Sequence, residues 1–182
     1  MNSLTAFEGN ILIFIQEHLR SDFLDPIFKG ITSLGNAGII WIIFSILLMI
    51  PRKTRWVGIS CAFALIFSLL FNNLIIKNLV ARVRPYNAIE GLIPIIKKPS
   101  EYSFPSGHTA SSFAAGFVML RKLPKRYGIP AIILATFISL SRLYVGVHYP
   151  TDVLFGVISG ILCAMLAMHV VRRLQKKDIH NI

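Results

Sequence analysis

The chain has 182 residues, 54% of them hydrophobic and 15% charged, with a formal net charge of +11. Long apolar runs make it a single membrane domain, 1–182, rather than a water-soluble one. The basic excess excludes a nucleic-acid partner by its placement: Arg52, Lys53 and Arg55, then Arg121, Lys122, Lys125 and Arg126, then Arg172, Arg173, Lys176 and Lys177 fall at alternate ends of successive apolar segments, the positive-inside pattern.

In chain order, residues 4–20 put Leu4, Phe7, Ile11, Leu12, Phe14, Ile15 and Leu19 on one arc of a helical wheel. Thr5, Asn10, Gln16, Glu17 and Arg20 fall on the other, which predicts an amphipathic helix at the interface, with a sixth span as the alternative. Spans follow at 31–50 and 56–76, where Asn72 and Asn73 read as interhelical hydrogen-bonding groups. A polar cluster from Lys77 to Pro85 closes the second span. Residues 82–105 hold Pro85, Pro94 and Pro99 yet also Ile89, Leu92, Ile93, Ile95 and Ile96, too apolar for a solvated loop. That segment is expected to lie on the membrane as a lid or rim, a packed connector being the alternative. Pro105-Ser106-Gly107-His108 then opens a span at 108–121, and another follows at 128–146. A last cluster, Ser141 to Asp152, closes that span and opens the fifth, 152–171, where Gly156 and Gly160 permit close helix approach. Cys61 and Cys163 lie inside spans and read as small apolar packers. Tyr144 and Tyr149 are assigned to the interfacial aromatic belt, and Tyr86 to a headgroup contact. The fold expected is an all-α integral-membrane bundle of about five transmembrane helices with an N-terminal amphipathic helix. The C-terminus lies in the cytoplasm, and all three polar clusters share the non-cytoplasmic face.

Sharing a face, the clusters can form one site. Lys77 and Arg84, seven residues apart, are about two helical turns from each other and can point the same way. A guanidinium offers paired donors to phosphate oxygens, and an ammonium offers a compact charge. Arg82, two positions from Arg84, is expected to face elsewhere. Ser106 is a plausible N-cap, and Gly107 with the free N–H groups of a helix start makes an anion nest. His108 stands where it can protonate a leaving oxygen. His148 and Asp152 are four apart, so the carboxylate can hold one imidazole nitrogen and leave the other to attack phosphorus. Arg142 supplies a third cation. Asp152 is the only carboxylate in the three clusters, so a two-metal site has no ligands and no cofactor is expected.

These clusters read K-x6-R-P, P-S-G-H and S-R-x5-H-x3-D, and with every fixed position matched the chain resembles the type-2 phosphatidic acid phosphatase superfamily. The resemblance implies that Lys77, Arg84, Ser106, Gly107 and Arg142 bind phosphate. It implies further that His148 forms a phosphohistidine, Asp152 supports it and His108 is the acid. The substrate implied is a lipid phosphate or pyrophosphate, undecaprenyl diphosphate foremost, with phosphatidylglycerophosphate or phosphatidic acid as alternatives. A lipid phosphotransferase and a non-catalytic lipid-phosphate binder are the readings from other classes; a binder would need the cations but neither the acid nor the nucleophile.

Overall fold

A computed structural model describes residues 3–180, with side chains through Lys176. Lys177, counted in the basic tail, has its side chain outside that range. Every regular element among the described residues is helical. The helices are α1 (Ser3–His18), α2 (Leu24–Leu34), α3 (Ile39–Met49), α4 (Arg55–Ser68), α5 (Lys77–Val80), α6 (Pro85–Ala88), α7 (Gly107–Lys122), α8 (Lys125–Tyr144) and α9 (Pro150–His180).

The segment read as one span at 31–50 is two helices meeting at a bend of 46°. Gly35 ends α2, a 3-10 turn covers Asn36–Gly38, and Ala37 and Gly38 both take left-handed backbone angles (φ 50° and 67°). Glycine reaches that region freely, and alanine does so at a cost. By length and composition three helical stretches can cross a membrane, Arg55–Ala88, Lys125–Tyr144 and Pro150–Lys176, and a fourth if the bent pair is one span.

Helix α7 is the axis of the bundle, packed on α4, α8 and α9. Its Ala110, Ala114, Ala115 and Val118 are fully buried, so it is rich in small residues rather than strongly apolar. Helix α9 crosses it at backbone distance: a Cβ on Gly160 would lie 2.5 Å from the Ala110 carbonyl oxygen. Gly58 makes the same close approach between α4 and α3, 2.5 Å from the Ser45 carbonyl. Cys61 and Cys163 are buried free thiols.

Helix α1 lies with Glu8, Gly9 and Leu12 inward, while Leu4, Phe7 and Phe14 face out. Two sequence readings of aromatic residues fail. Tyr144 and Tyr149 are not surface belt residues but buried, Tyr144 stacked on Phe28 and Tyr149 beneath the Arg82 guanidinium, 3.7 Å from the ring centroid. Tyr86 turns inward and donates its hydroxyl to the Pro99 carbonyl. Residues 89–105 act both as connector and as rim. Leu92 packs on Leu12 and Tyr149, whereas Ile96, Lys97, Pro99, Ser100 and Glu101 line a cavity.

Candidate active site

Lys77 and Arg84 do converge, but not by sharing a helix face. Beyond α4 the chain runs through a π-helical stretch, Leu69–Ile76, and α5 ends at Val80. Ala81 is left-handed and Arg84 extended (φ −68°, ψ 149°), with Pro85 opening α6. This turn sends the two cations to one place, each 5% exposed. There Glu101 contacts both: its carboxylate accepts from Lys77 Nζ at 2.7 Å and its carbonyl from Arg84 Nε at 2.8 Å. The hydrogen bond and charge of Lys77 hold the Glu101 carboxyl below its ordinary range.

His148 is spanned between a cation and an anion. Arg84 Nη1 lies 3.1 Å from its Nε2, and Asp152 Oδ2 lies 3.4 Å from its Nδ1. Proline at the head of α9 begins the helix rather than disturbing it, since its missing N–H is an orphan there anyway. Asp152, in that first turn, accepts from the Tyr149 backbone N–H at 2.9 Å and the Ser103 hydroxyl at 2.5 Å. Its other oxygen accepts from Arg82 Nη1 at 2.7 Å. Arg82, expected to face elsewhere than Arg84, instead reaches the same His148–Asp152 pair from the carboxylate side and joins Asp152 to the buried Glu8, 2.6 Å from its Nη2. Burial holds the His148 imidazole well below its ordinary titration range; the Asp152 hydrogen bond opposes this, and Arg84 and Arg142 reinforce it.

Ser106 is the N-cap of α7, accepting from the Thr109 N–H at 3.5 Å and the Thr109 hydroxyl at 3.0 Å. It is fully buried and, like Asp152, stands behind the cavity wall. Gly107 does line the cavity, with Asn73 so close that a Cβ would sit 2.9 Å from its Oδ1. His108 lines it too, its Nε2 3.0 Å from Asn36 Oδ1. Arg142 completes the wall, 3% exposed, donating from Nη1 to Thr32 Oγ1 at 2.6 Å.

The cavity so formed has a volume of about 1020 Å³. Lys77, Arg84, Arg142, His108 and His148 make its polar end. An apolar arm lined by Ile42, Ile46, Met49, Leu65, Ile66 and Leu69 runs between α3 and α4. Several of those side chains are about half exposed on the bundle surface, so the arm opens outward. Among the described residues no group of three or more His, Cys, Asp or Glu side chains is arranged to hold a metal ion. Sequence reading missed Glu8, Thr32, Asn36 and Glu101. For Glu8 a signal existed: unlike Glu17, it is a carboxylate that falls on the apolar arc of the 4–20 wheel.

Comparison with known proteins places these features in a family. A model of the PAP2 superfamily matches residues 57–176. The undecaprenyl-diphosphatase of Sulfolobus acidocaldarius is 33% identical over 131 residues, which are 72% of this chain and 63% of that protein. Phosphatidylglycerophosphatase B of Bacillus subtilis is 30% identical over 161 residues, 81% of this chain and 75% of that protein. Among solved structures, Aquifex aeolicus LpxE superposes with a TM-score of 0.77 at 25% identity, covering 88% of this chain and 93% of its own.

Proposed function

The chain belongs to the PAP2 superfamily of membrane lipid phosphatases, and from its cavity and its similarity to an undecaprenyl-diphosphatase we propose that it removes the terminal phosphate of a lipid diphosphate, most specifically undecaprenyl diphosphate. The observation that carries the reading is the joining of a cationic pocket to an apolar arm between α3 and α4. A soluble phosphate ester needs only the first part, whereas a lipid needs both.

In this reading Lys77, Arg84, Arg142 and the start of α7 at Gly107 hold the phosphate, and they neutralise charge as it builds on the equatorial oxygens. Ser106, behind the cavity wall, supports that helix start from within by capping it through the Thr109 N–H. His148 Nε2 attacks phosphorus in line, the bond to the bridging oxygen breaks, and His108 gives that oxygen a proton. Water then attacks the phosphohistidine, its proton passes to His108, and inorganic phosphate leaves. Asp152 keeps the ring oriented throughout. These steps call on no metal or cofactor.

The same reading makes α7 the fifth span, beside the bent pair α2–α3, α4, α8 and α9. Its 16 residues are short for a crossing, but other helices surround it. The basic loops between α3 and α4 and between α7 and α8 lie in the cytoplasm with the C-terminus, and the site opens on the opposite face. Helix α1 lies in that outer interface with Phe7 and Phe14 in lipid. Residues 1–182 form one catalytic domain.

The test is phosphate release by the purified protein in detergent with EDTA, from undecaprenyl diphosphate and phosphatidylglycerophosphate in parallel, with His148→Ala as control. Release that survives EDTA and disappears in the variant supports the mechanism, and the ratio of the two rates names the substrate. Release unchanged in the variant, or absent from both lipids, overturns it.

A further inference from the structure

The family match begins at residue 57, and the bend between α2 and α3 lies before it. Yet this bend touches two of the groups given roles above. Thr32 is 4% exposed and its hydroxyl accepts from Arg142 Nη1 at 2.6 Å. Arg142 Nε, just as buried, has no partner. A long side chain has many rotamers, and a fixed acceptor on one terminal nitrogen selects among them. The selected one leaves Nε unpaired on a residue that lines the cavity, where a phosphate oxygen would satisfy it.

One turn further on, the backbone at Gly35 lies against the acid. A Cβ there would be 2.7 Å from His108 Cδ2 and 2.7 Å from Ile138 Cγ2. The left-handed angles at Ala37 and Gly38 turn the chain so that Asn36 returns to the cavity, with Oδ1 3.0 Å from His108 Nε2. One short segment therefore braces a guanidinium and an imidazole from α8 and α7.

We propose that the bend from Thr32 to Gly38 is a positioning element for phosphoryl transfer: Thr32 aims Arg142 at the phosphate, and Asn36 with Gly35 fixes the His108 ring toward the leaving group. The proposal rests on the phosphatase reading. It adds residues outside the three signature clusters, acting through Arg142 and His108.

The experiment uses the full chain in detergent with Thr32→Val, Thr32→Ser, Arg142→Ala and the Thr32→Val/Arg142→Ala double variant. Thr32→Val keeps the shape and removes the acceptor, so kcat/KM on dioleoyl phosphatidic acid falls roughly tenfold to a hundredfold. Thr32→Ser returns it to within about threefold of the parent. In the Arg142→Ala background Thr32→Val changes the rate by less than about twofold, because the residue it acts through is gone. Should Thr32→Val fail to fold, Thr32→Ala, which adds no bulk, makes the same comparison.

Asn36→Ala is read with two leaving groups. It slows phosphatidic acid cleavage about tenfold and p-nitrophenyl phosphate cleavage by less than about threefold, since the aryl oxide leaves without an acid's proton. A Thr32→Val rate within twofold of the parent, an undiminished effect in the double variant, or equal slowing of both substrates by Asn36→Ala overturns the proposal. If the parent cleaves neither of these nor undecaprenyl diphosphate, the phosphatase reading fails separately. Titration with inorganic phosphate then still decides the role of Thr32, through a roughly tenfold loss of affinity in Thr32→Val or no loss.

Discussion

Arg84 Nη1 stands 3.1 Å from His148 Nε2, and this contact decides which imidazole nitrogen carries the proton. A guanidinium only donates, so Nε2 must present its lone pair, and the ring proton sits on Nδ1 facing Asp152. The same lone pair is the one that would attack phosphorus. Replacing Asp152 by Asn keeps the shape but offers an amide that can donate to Nδ1 and stabilise the opposite tautomer. Asp152→Asn should lower kcat by about 10³-fold or more, with a much smaller change in KM. Steady-state release of phosphate from undecaprenyl diphosphate measures both; a kcat within tenfold of the parent would count against the tautomer argument.

Glu8 anchors the N-terminal helix to the site from behind. Its carboxylate accepts from Arg82 at 2.6 Å and from the Thr151 N–H and hydroxyl at 2.8 and 2.6 Å. Removing it leaves a half-buried guanidinium with one partner fewer and a backbone donor without one. Glu8→Ala should cost roughly 3 kcal/mol of stability. Arg82 would then keep Asp152 as its one ion-pair partner, beside the Thr151 hydroxyl and the Tyr149 ring, so activity should also fall. Thermal unfolding in detergent, followed by tryptophan fluorescence, checks the first effect, and an unchanged midpoint would show that the network contributes nothing.

The convergence of Lys77, Arg84, Arg142, His108 and His148 was legible from the sequence because span boundaries and charge placement put all three clusters on one face. How they converge was not. Lys77 and Arg84 meet through the left-handed turn at Ala81, which no helical spacing reveals. The partners that hold the site, Thr32 for Arg142 and Glu8 for Arg82, lie 110 and 74 residues away in sequence. Such pairings leave no local pattern. The bend at Gly35–Gly38 did carry a signal, two glycines around an asparagine and an alanine, but it lay inside an apolar run that reads as one span. Tyr144 and Tyr149 misled for a related reason: at the membrane boundary, burial under another segment looks like an interfacial belt residue.

Two glycine substitutions of one chemistry should separate by packing. A Cβ on Gly58 would lie 2.5 Å from the Ser45 carbonyl and 2.7 Å from the Met49 nitrogen, both backbone atoms that cannot yield cheaply. Gly58→Ala should therefore push α4 from α3 and cost about 1–3 kcal/mol. Since these helices wall the apolar arm, the lipid KM should rise as well. Gly30, within α2, has nothing within 4 Å of its Cβ position, and Gly30→Ala should be neutral or stabilise by up to about 1 kcal/mol. Parallel melting curves test the pair, and equal shifts would contradict the packing described.

His148 gives the pH dependence of stability a definite sign. Burial holds its folded-state titration below the ordinary value near ~6.5. As pH falls through that value the unfolded chain takes up a proton that the folded protein refuses. The contribution is complete above about pH 6.5 and is lost on acidification, with a slope approaching ~1.4 kcal/mol per pH unit. Glu101, held below the carboxylate range by Lys77, acts in the same direction but only at lower pH. Comparison between pH 7 and 5 keeps that second group out. His148→Gln cannot titrate, so its unfolding midpoint should fall less steeply over this interval than the parent's. Parallel curves would mean that His148 is protonated in the folded protein at pH 5. That protonation would remove the Nε2 lone pair facing Arg84, and activity would be lost over the same interval.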